Sequence, residues 1–204
     1  MSAVENTAAN VPVDQDVPAL PVDAERTASA ERIIQDHVLL AMASGLIPGP
    51  GIDLIAGFAA QMTMLKRMAS LYDVPFKENA AKSTITSLMG TLGGVGAAAI
   101  AAGSFLKFVP VLGTAIGMAG TSVALGGFTY AIGKVFQRHF ETGGAFLDFD
   151  PRAYREYFRE MNQRGRKVAA ERQEEATQEA KEESNNDGKG RSSRSAAAAT
   201  AAGI

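Results

Sequence analysis

Two uncharged stretches decide the fold of this chain: STITSLMGTLGGVGAAAIAAGSFL at Ser83–Leu106 and FVPVLGTAIGMAGTSVALGGFTYAIG at Phe108–Gly133. They contain 24 and 26 residues, and Lys107 alone separates them. A helix of roughly 20 residues crosses the hydrocarbon core of a bilayer, so each stretch is long enough to span it. A helix at the surface of a soluble protein shows a charged face to water, and neither stretch offers one. The pair predicts a membrane-inserted or membrane-docked helical hairpin over residues 83–133, and the alternative is the core of a soluble bundle.

The charges that flank this hairpin predict its orientation. Lys82, Lys134 and Arg138 lie at its outer ends, and basic flanks mark the cytoplasmic side of a membrane protein. Lys107 falls at the tip, where a single lysine can snorkel to the interface. We therefore expect both termini in the cytoplasm.

Composition argues against several classes of function. The chain has 204 residues, a net charge of −2, no cysteine and two histidines. A balanced charge predicts no general attraction to nucleic acid, and the lack of cysteine excludes disulfides and thiolate metal sites. The two histidines have no partners at ligand spacing, and no set of residues resembles a catalytic centre. Gly94-Val-Gly96 lacks the preceding strand and the following acid of a nucleotide site. We expect no enzyme, no metal and no cofactor.

The chain divides into four parts by composition. We predict a disordered leader at 1–23, a helical hairpin domain at 24–146, a charged amphipathic helix at 147–183 and a disordered tail at 184–204. The fold class is all-α, with two packed helical hairpins. The predicted helices are Ala30–Ile47, Ile52–Leu71, Phe76–Phe108 with a weak point at its glycines, Thr114–Phe140, and a last helix opened by Asp150-Pro151.

The corner between the first two helices is the most distinctive motif. It reads IPGPGID from Ile47 to Asp53, with two prolines of fixed φ and two glycines that can take positive φ. Its pattern matches a second corner 62 residues later, where Val109-Pro110 and Gly113 recur. Asp53 begins an apolar helix, where a carboxylate favours the helix dipole. Binding of a partner by this corner is the other interpretation, under which Asp53 and Lys66 are exposed.

The second helix carries an apolar stripe at helical spacing, with Gln61 away from its centre. The stripe is Ile55, Phe58, Met62, Leu65 and Met68. The same helix carries Met62, Met64 and Met68, and flexible methionines suit either a core or an adaptable binding surface, so both interpretations stay open.

Small residues recur at a spacing that favours close helix contacts. Gly90 with Gly94, and Gly113 with Gly117, lie four residues apart, as in helices that associate in lipid. These faces predict self-association, and the alternative is a tight core within one chain. The residues that we single out for packing or partner binding are Pro48, Gly49, Pro50, Gly51, Asp53, Gln61, Gly90, Gly94, Lys107, Pro110, Gly113 and Gly117.

Together these motifs resemble domain-of-unknown-function family 697 over roughly Ile33–Gly144. The resemblance rests on LIPGPGID at Leu46–Asp53, QMTML at Gln61–Leu65, the KFVP at Lys107–Pro110 and the closing Phe136, Phe140 and Gly143. It implies a bacterial inner-membrane protein, often fused to or encoded beside an Era-like small GTPase, with no established catalytic residue.

The expected role is therefore a non-catalytic membrane adaptor or anchor in contact with lipid, with a separate GTPase as partner and homo-oligomers as a possibility. A soluble, cytoplasmic helical interaction module and an oligomeric pore or membrane-remodelling protein are the alternatives.

Overall fold

The computed structural model describes residues 23–48, 51–92, 96–107 and 112–201, and this part of the chain consists of helices joined by turns, without a strand. The all-α fold class is thus confirmed. The helices are α1 (Ala24–Gly45), α2 (Ile52–Leu71), α3 (Glu78–Leu92), α4 (Gly96–Leu106), α5 (Leu112–Glu141) and α6 (Arg155–Ala201). Residues 1–22, which hold nearly all of the predicted leader, lie outside the described part.

Helix α5 is the centre of the bundle. It packs against α1, α2, α4 and α6, and its Phe128, Ile132 and Phe136 are fully buried. Among the described residues, Ile116–Glu141 is the helical segment long and apolar enough to cross a membrane, but 72% of its apolar window is buried inside the protein. A core helix of a soluble protein has the same properties. The apolar length of α5 therefore builds the core of the bundle.

The described part of the other uncharged stretch is helical. Ser83–Leu106 falls on α3 and α4, and residues 93–95 between them lie outside the described part. The predicted helix from Phe76 to Phe108 is described as helix over Glu78–Leu92 and Gly96–Leu106, and two of the three glycines of its predicted weak point, Gly93 and Gly94, lie outside the described residues.

The helix ends follow local signals. Asp23 caps α1, because its carboxylate accepts a hydrogen bond from the Glu25 N–H at 3.1 Å, so α1 begins earlier than the predicted Ala30. At the end of α5, Gly143 has φ +79° and the Gly144 N–H donates to the His139 carbonyl at 2.9 Å. This is a Schellman motif, and it confirms the predicted stop at the two glycines.

Helix α6 differs from its prediction at both ends. Asp150 does not cap it: the Asp150 carboxylate accepts from the Arg152 N–H at 2.9 Å and closes a turn, and α6 begins at Arg155. At the other end, helical backbone continues through Ala201, into the stretch predicted as a disordered tail. Helix α6 packs closely on α5, since a Cβ added to Gly165 would lie 2.7 Å from Tyr130 Cβ.

Candidate functional site

A buried ion pair joins the ends of α1 and α4 to the start of α2. Lys107 Nζ lies 2.8 Å from Asp53 Oδ2, and both side chains are 0% exposed. The ammonium also donates to the main-chain carbonyls of Gly45, at 2.9 Å, and Ile47, at 3.1 Å. Three donors thus have three acceptors, as a buried ammonium requires. The predicted position of Lys107 at an exposed hairpin tip is wrong, because its side chain turns inward to Asp53.

The carboxylate of Asp53 is equally well provided with partners. Its Oδ1 accepts from the Gly51 N–H at 3.0 Å, from the Leu54 N–H at 2.9 Å and from the Ser104 hydroxyl at 3.0 Å. The expected exposure of Asp53 is therefore wrong. Its place in the first turn of α2 is the one where a carboxylate stabilises a helix dipole.

The electrostatic balance at Asp53 favours the charged form. Burial raises the pKa of this carboxyl, but the hydrogen bonds from Lys107 and Ser104 and the charge of Lys107 hold the pKa below its ordinary value. Asp53 is thus an ionised, fully hydrogen-bonded carboxylate in the protein interior. We call Asp53, Ser104, Lys107 and the backbone groups that bind them the ion-pair cluster.

Two glycines give this cluster its geometry. Gly51 has φ +87°, a conformation that favours glycine, and its N–H reaches both Asp53 and Ser104, the latter at 3.1 Å. On α5, a Cβ added to Gly117 would lie 2.6 Å from the Gly103 carbonyl oxygen and 3.1 Å from Lys107 Cγ. The small residue at 117 lets α5 approach α4 within the same chain, so this geometry does not support its predicted role in self-association.

The remaining predicted residues have varied positions. Gly90 is exposed on α3, and a Cβ there would meet nothing within 4 Å. Pro48 is exposed after the end of α1, and Gly113 lies in the first turn of α5. Gly49, Pro50, Gly94 and Pro110 fall outside the described residues.

Gln61 shows that the buried face of α2 is rotated relative to the predicted stripe. Gln61 is 2% exposed and its amide donates to Thr129 Oγ1 at 3.4 Å, whereas Ile55 is 74% exposed. The rotation has a physical cause, because turning Asp53 inward to Lys107 turns the same face of the first turns inward. Met64 and Met68 are fully buried, so the proposal of a methionine binding surface on α2 is wrong at these two positions.

Exposed apolar side chains lie next to the members of the ion-pair cluster along the chain. Each of them lies within two residues of a cluster member or of Gly117, and each is between 40% and 74% exposed. They are Leu46 on α1, Ile52 and Ile55 on α2, Phe105 and Leu106 on α4, and Ile116 on α5. We call this set the apolar end. Monomeric soluble proteins rarely expose large apolar patches unless the patch binds a partner or a membrane.

Charged residues are remote from the apolar end along most helices. Going back from the corner, the first Asp, Glu, Lys or Arg on α1 is Asp36, about 13 Å from Gly45 along the axis. Beyond Asp53, the first on α2 is Lys66. Helix α6 approaches more closely, with Glu174 and Lys181 in a groove beside Ala119 of α5. The apolar end is thus bordered by charge on the α6 side.

Sequence reasoning missed Ser104 and the pairing of Asp53 with Lys107. One signal could have found the pair: Asp53 is the sole acid between Asp36 and Asp73, and Lys107 is the sole charge between Lys82 and Lys134. A lone acid and a lone base in apolar surroundings are candidates for partners, because unpaired charges are costly to bury.

Comparison with known proteins supports the resemblance. The chain matches the family described as "Domain of unknown function (DUF697)" over residues 20–167. It is 37% identical over 150 residues to "Magnetosome membrane protein 22" of Magnetospirillum gryphiswaldense, an alignment that covers 74% of this chain and 77% of the relative. No solved structure matches the chain significantly. The extent of the family match shows that this chain belongs to the DUF697 family.

Proposed function

We propose that this protein is a non-catalytic, membrane-associated adaptor or anchor that docks its apolar end on lipid. One observation carries the proposal: exposed apolar side chains lie next, along the chain, to the residues that form and hold an ion pair whose two side chains are fully buried. Transfer of an apolar side chain out of water is favourable by about 1.5–3 kcal/mol. A surface whose described members are several such side chains, none of them charged, suits the boundary between headgroups and acyl chains.

Pairing of the two charges lowers the electrostatic cost of docking on lipid. A charged side chain that enters a bilayer alone is costly, whereas Asp53 and Lys107 neutralise each other and satisfy their hydrogen bonds inside the protein. The described part of the apolar end can therefore approach lipid with Asp53 and Lys107 paired to each other. The same groups are committed to each other, which leaves the cluster with no reactive atom presented to a substrate and supports a non-catalytic role.

The relative from Magnetospirillum gryphiswaldense supports a membrane-associated role, since its name describes a membrane protein of the magnetosome. For the present chain we propose the cytoplasmic face of a bacterial inner membrane, with both termini in the cytoplasm.

A membrane-flotation assay tests the proposal. Ile52→Glu and Ile55→Glu each place a carboxylate at the apolar end, and Leu147→Glu is the matched control. Leu147 is 81% exposed and follows the end of α5, at the opposite end of the bundle. We expect each isoleucine variant to lower vesicle affinity by about tenfold or more, because losing 1.5–3 kcal/mol of apolar burial has that effect.

The control variant should float like the parent protein. Equal flotation of all four proteins, or no flotation of the parent, would contradict docking through the apolar end. Washing the vesicles with alkaline carbonate is a second measurement. Release of the bound protein indicates docking at the interface, and retention indicates an inserted hairpin over residues 83–133.

A small GTPase remains the proposed protein partner, on the strength of the family resemblance. Its contact would use the polar half of α2, where Lys66 and Arg67 are exposed, because the apolar end is occupied by lipid. The double variant Lys66→Ala/Arg67→Ala should then lose a GTPase that co-purifies with the parent; undiminished recovery would place the contact elsewhere.

A further inference from the structure

An apolar cavity of about 320 Å³ lies between α2, α4 and α5. Its volume falls at the lower end of the range for small-molecule sites. The described residues that line it are Leu54, Ile55 and Phe58 of α2, Ile100 of α4, and Leu125 and Phe128 of α5, together with the amide of Gln61. None of these described lining residues carries a charge, so the part of a ligand that enters must be hydrocarbon.

The cavity is continuous with the apolar end. Ile55 lines the cavity and is also 74% exposed as a member of the apolar end. Leu54 and Ile55 directly follow Asp53, whose negative charge is neutralised by the ion pair with Lys107. A hydrocarbon chain can therefore pass from the docking surface into the cavity without approaching an unpaired charge.

We propose that this cavity holds one acyl chain of a lipid from the membrane on which the apolar end docks. The inference rests on the proposed docking and goes beyond it, because a surface that only rests on lipid needs no internal space for a chain. The lipid headgroup stays outside the cavity, because the described lining residues offer it no charged partner. Docked protein would then hold a single lipid by its chain, in addition to the general contact of its surface.

The chain has no tryptophan, so the fluorescence of one introduced tryptophan can be measured without background from other indoles. Ile55→Trp places a single indole at the mouth of the cavity, and this exposed position tolerates a large side chain. Leu147→Trp places one at an 81% exposed site far from the cavity. Both full-length variants are titrated, without vesicles, with bromododecanoic acid below the concentration at which it aggregates. Bromine quenches an indole only at short range, so the quenching reports where the chain lies.

We expect saturable quenching of the indole at position 55, with one fatty acid per protein, and recovery of the fluorescence when unbrominated dodecanoic acid is added. The indole at position 147 should show only weak quenching that rises linearly with the fatty acid. Absent quenching at position 55, linear quenching there, or equal quenching at both positions would overturn the proposal. It would mean that the cavity is closed to acyl chains or filled by protein.

Flotation of the parent protein separates this inference from the proposed function, because Ile55 belongs to both the cavity lining and the apolar end. Protein that floats but takes up no fatty acid keeps its docking role and loses the acyl-chain site. Protein that takes up the fatty acid but does not float keeps the site and loses the docking role.

Discussion

At the scale of single residues, the stability of this protein depends on a charge pair that water does not reach. A buried ion pair contributes little net free energy compared with well-packed apolar residues, but removal of one partner leaves an uncompensated charge and costs about 3–5 kcal/mol. Asp53 and Lys107 form such a pair, since each side chain is 0% exposed and each has hydrogen bonds to further groups. Substitution of either partner alone should therefore lower the stability of the protein.

We predict that Lys107→Met lowers the free energy of unfolding by about 3–5 kcal/mol. Asp53→Asn alone should also destabilise, and Asp53→Asn/Lys107→Met should cost less than the sum of the two single changes, because it leaves no lone buried charge. Thermal unfolding followed by circular dichroism measures these effects. Lys66→Ala is the control at an exposed lysine and should stay within about 0.5 kcal/mol of the parent. A Lys107→Met protein that melts with the parent would contradict the buried pair.

The stability of the parent protein and of the double variant should depend differently on pH. The pKa of Asp53 in the folded protein lies below its ordinary value of 3.8. A lowered carboxyl pKa contributes stability that is present above the ordinary value and is lost as the pH falls through the folded value. The parent should therefore lose stability as the pH falls below about 4, and the double variant should lose less of it over the same interval.

At the scale of helices, glycines with the same helical spacing have opposite roles. Gly117 of α5 faces Gly103 of α4 at a distance that excludes a side chain, whereas Gly90 of α3 faces open space. The sequence presents both as members of small-residue pairs and cannot tell them apart. The difference depends on which face of each helix turns toward a neighbour, and that follows from the packing of the whole bundle.

Alanine substitutions at these two glycines should move the melting temperature in opposite directions. Gly117→Ala forces a methyl group to within 2.6 Å of the Gly103 carbonyl oxygen and should destabilise the protein by about 1–3 kcal/mol. Gly90→Ala adds a methyl group in free space and should stabilise the exposed helix by up to about 1 kcal/mol. The comparison is matched, because the substitution is the same in both. A Gly117→Ala protein as stable as Gly90→Ala would contradict the contact between α4 and α5.

At the scale of the whole molecule, local patterns predict the helices better than they predict how the helices are used. Periodicity and turn residues gave α2 its correct bounds, Ile52–Leu71, because those signals lie within the segment. The ion pair joins residues 54 positions apart, and only the packed fold brings them together. The apolar length of α5 suggests a membrane span in isolation, yet in the bundle it is the core against which four other helices pack.

The proposed function requires that the helical bundle meets the membrane with its apolar end. Spin labels measure this directly, because the chain has no cysteine and single label sites can be introduced as Ile52→Cys and Leu147→Cys. On vesicles of phosphatidylethanolamine and phosphatidylglycerol, accessibility to oxygen and to a water-soluble nickel chelate reports the depth of each label. We expect the label at position 52 to gain oxygen contact and lose nickel contact on binding, while the label at position 147 stays accessible to nickel. A vesicle-bound protein whose label at position 52 remains as accessible to nickel as the label at position 147 would contradict docking through the apolar end.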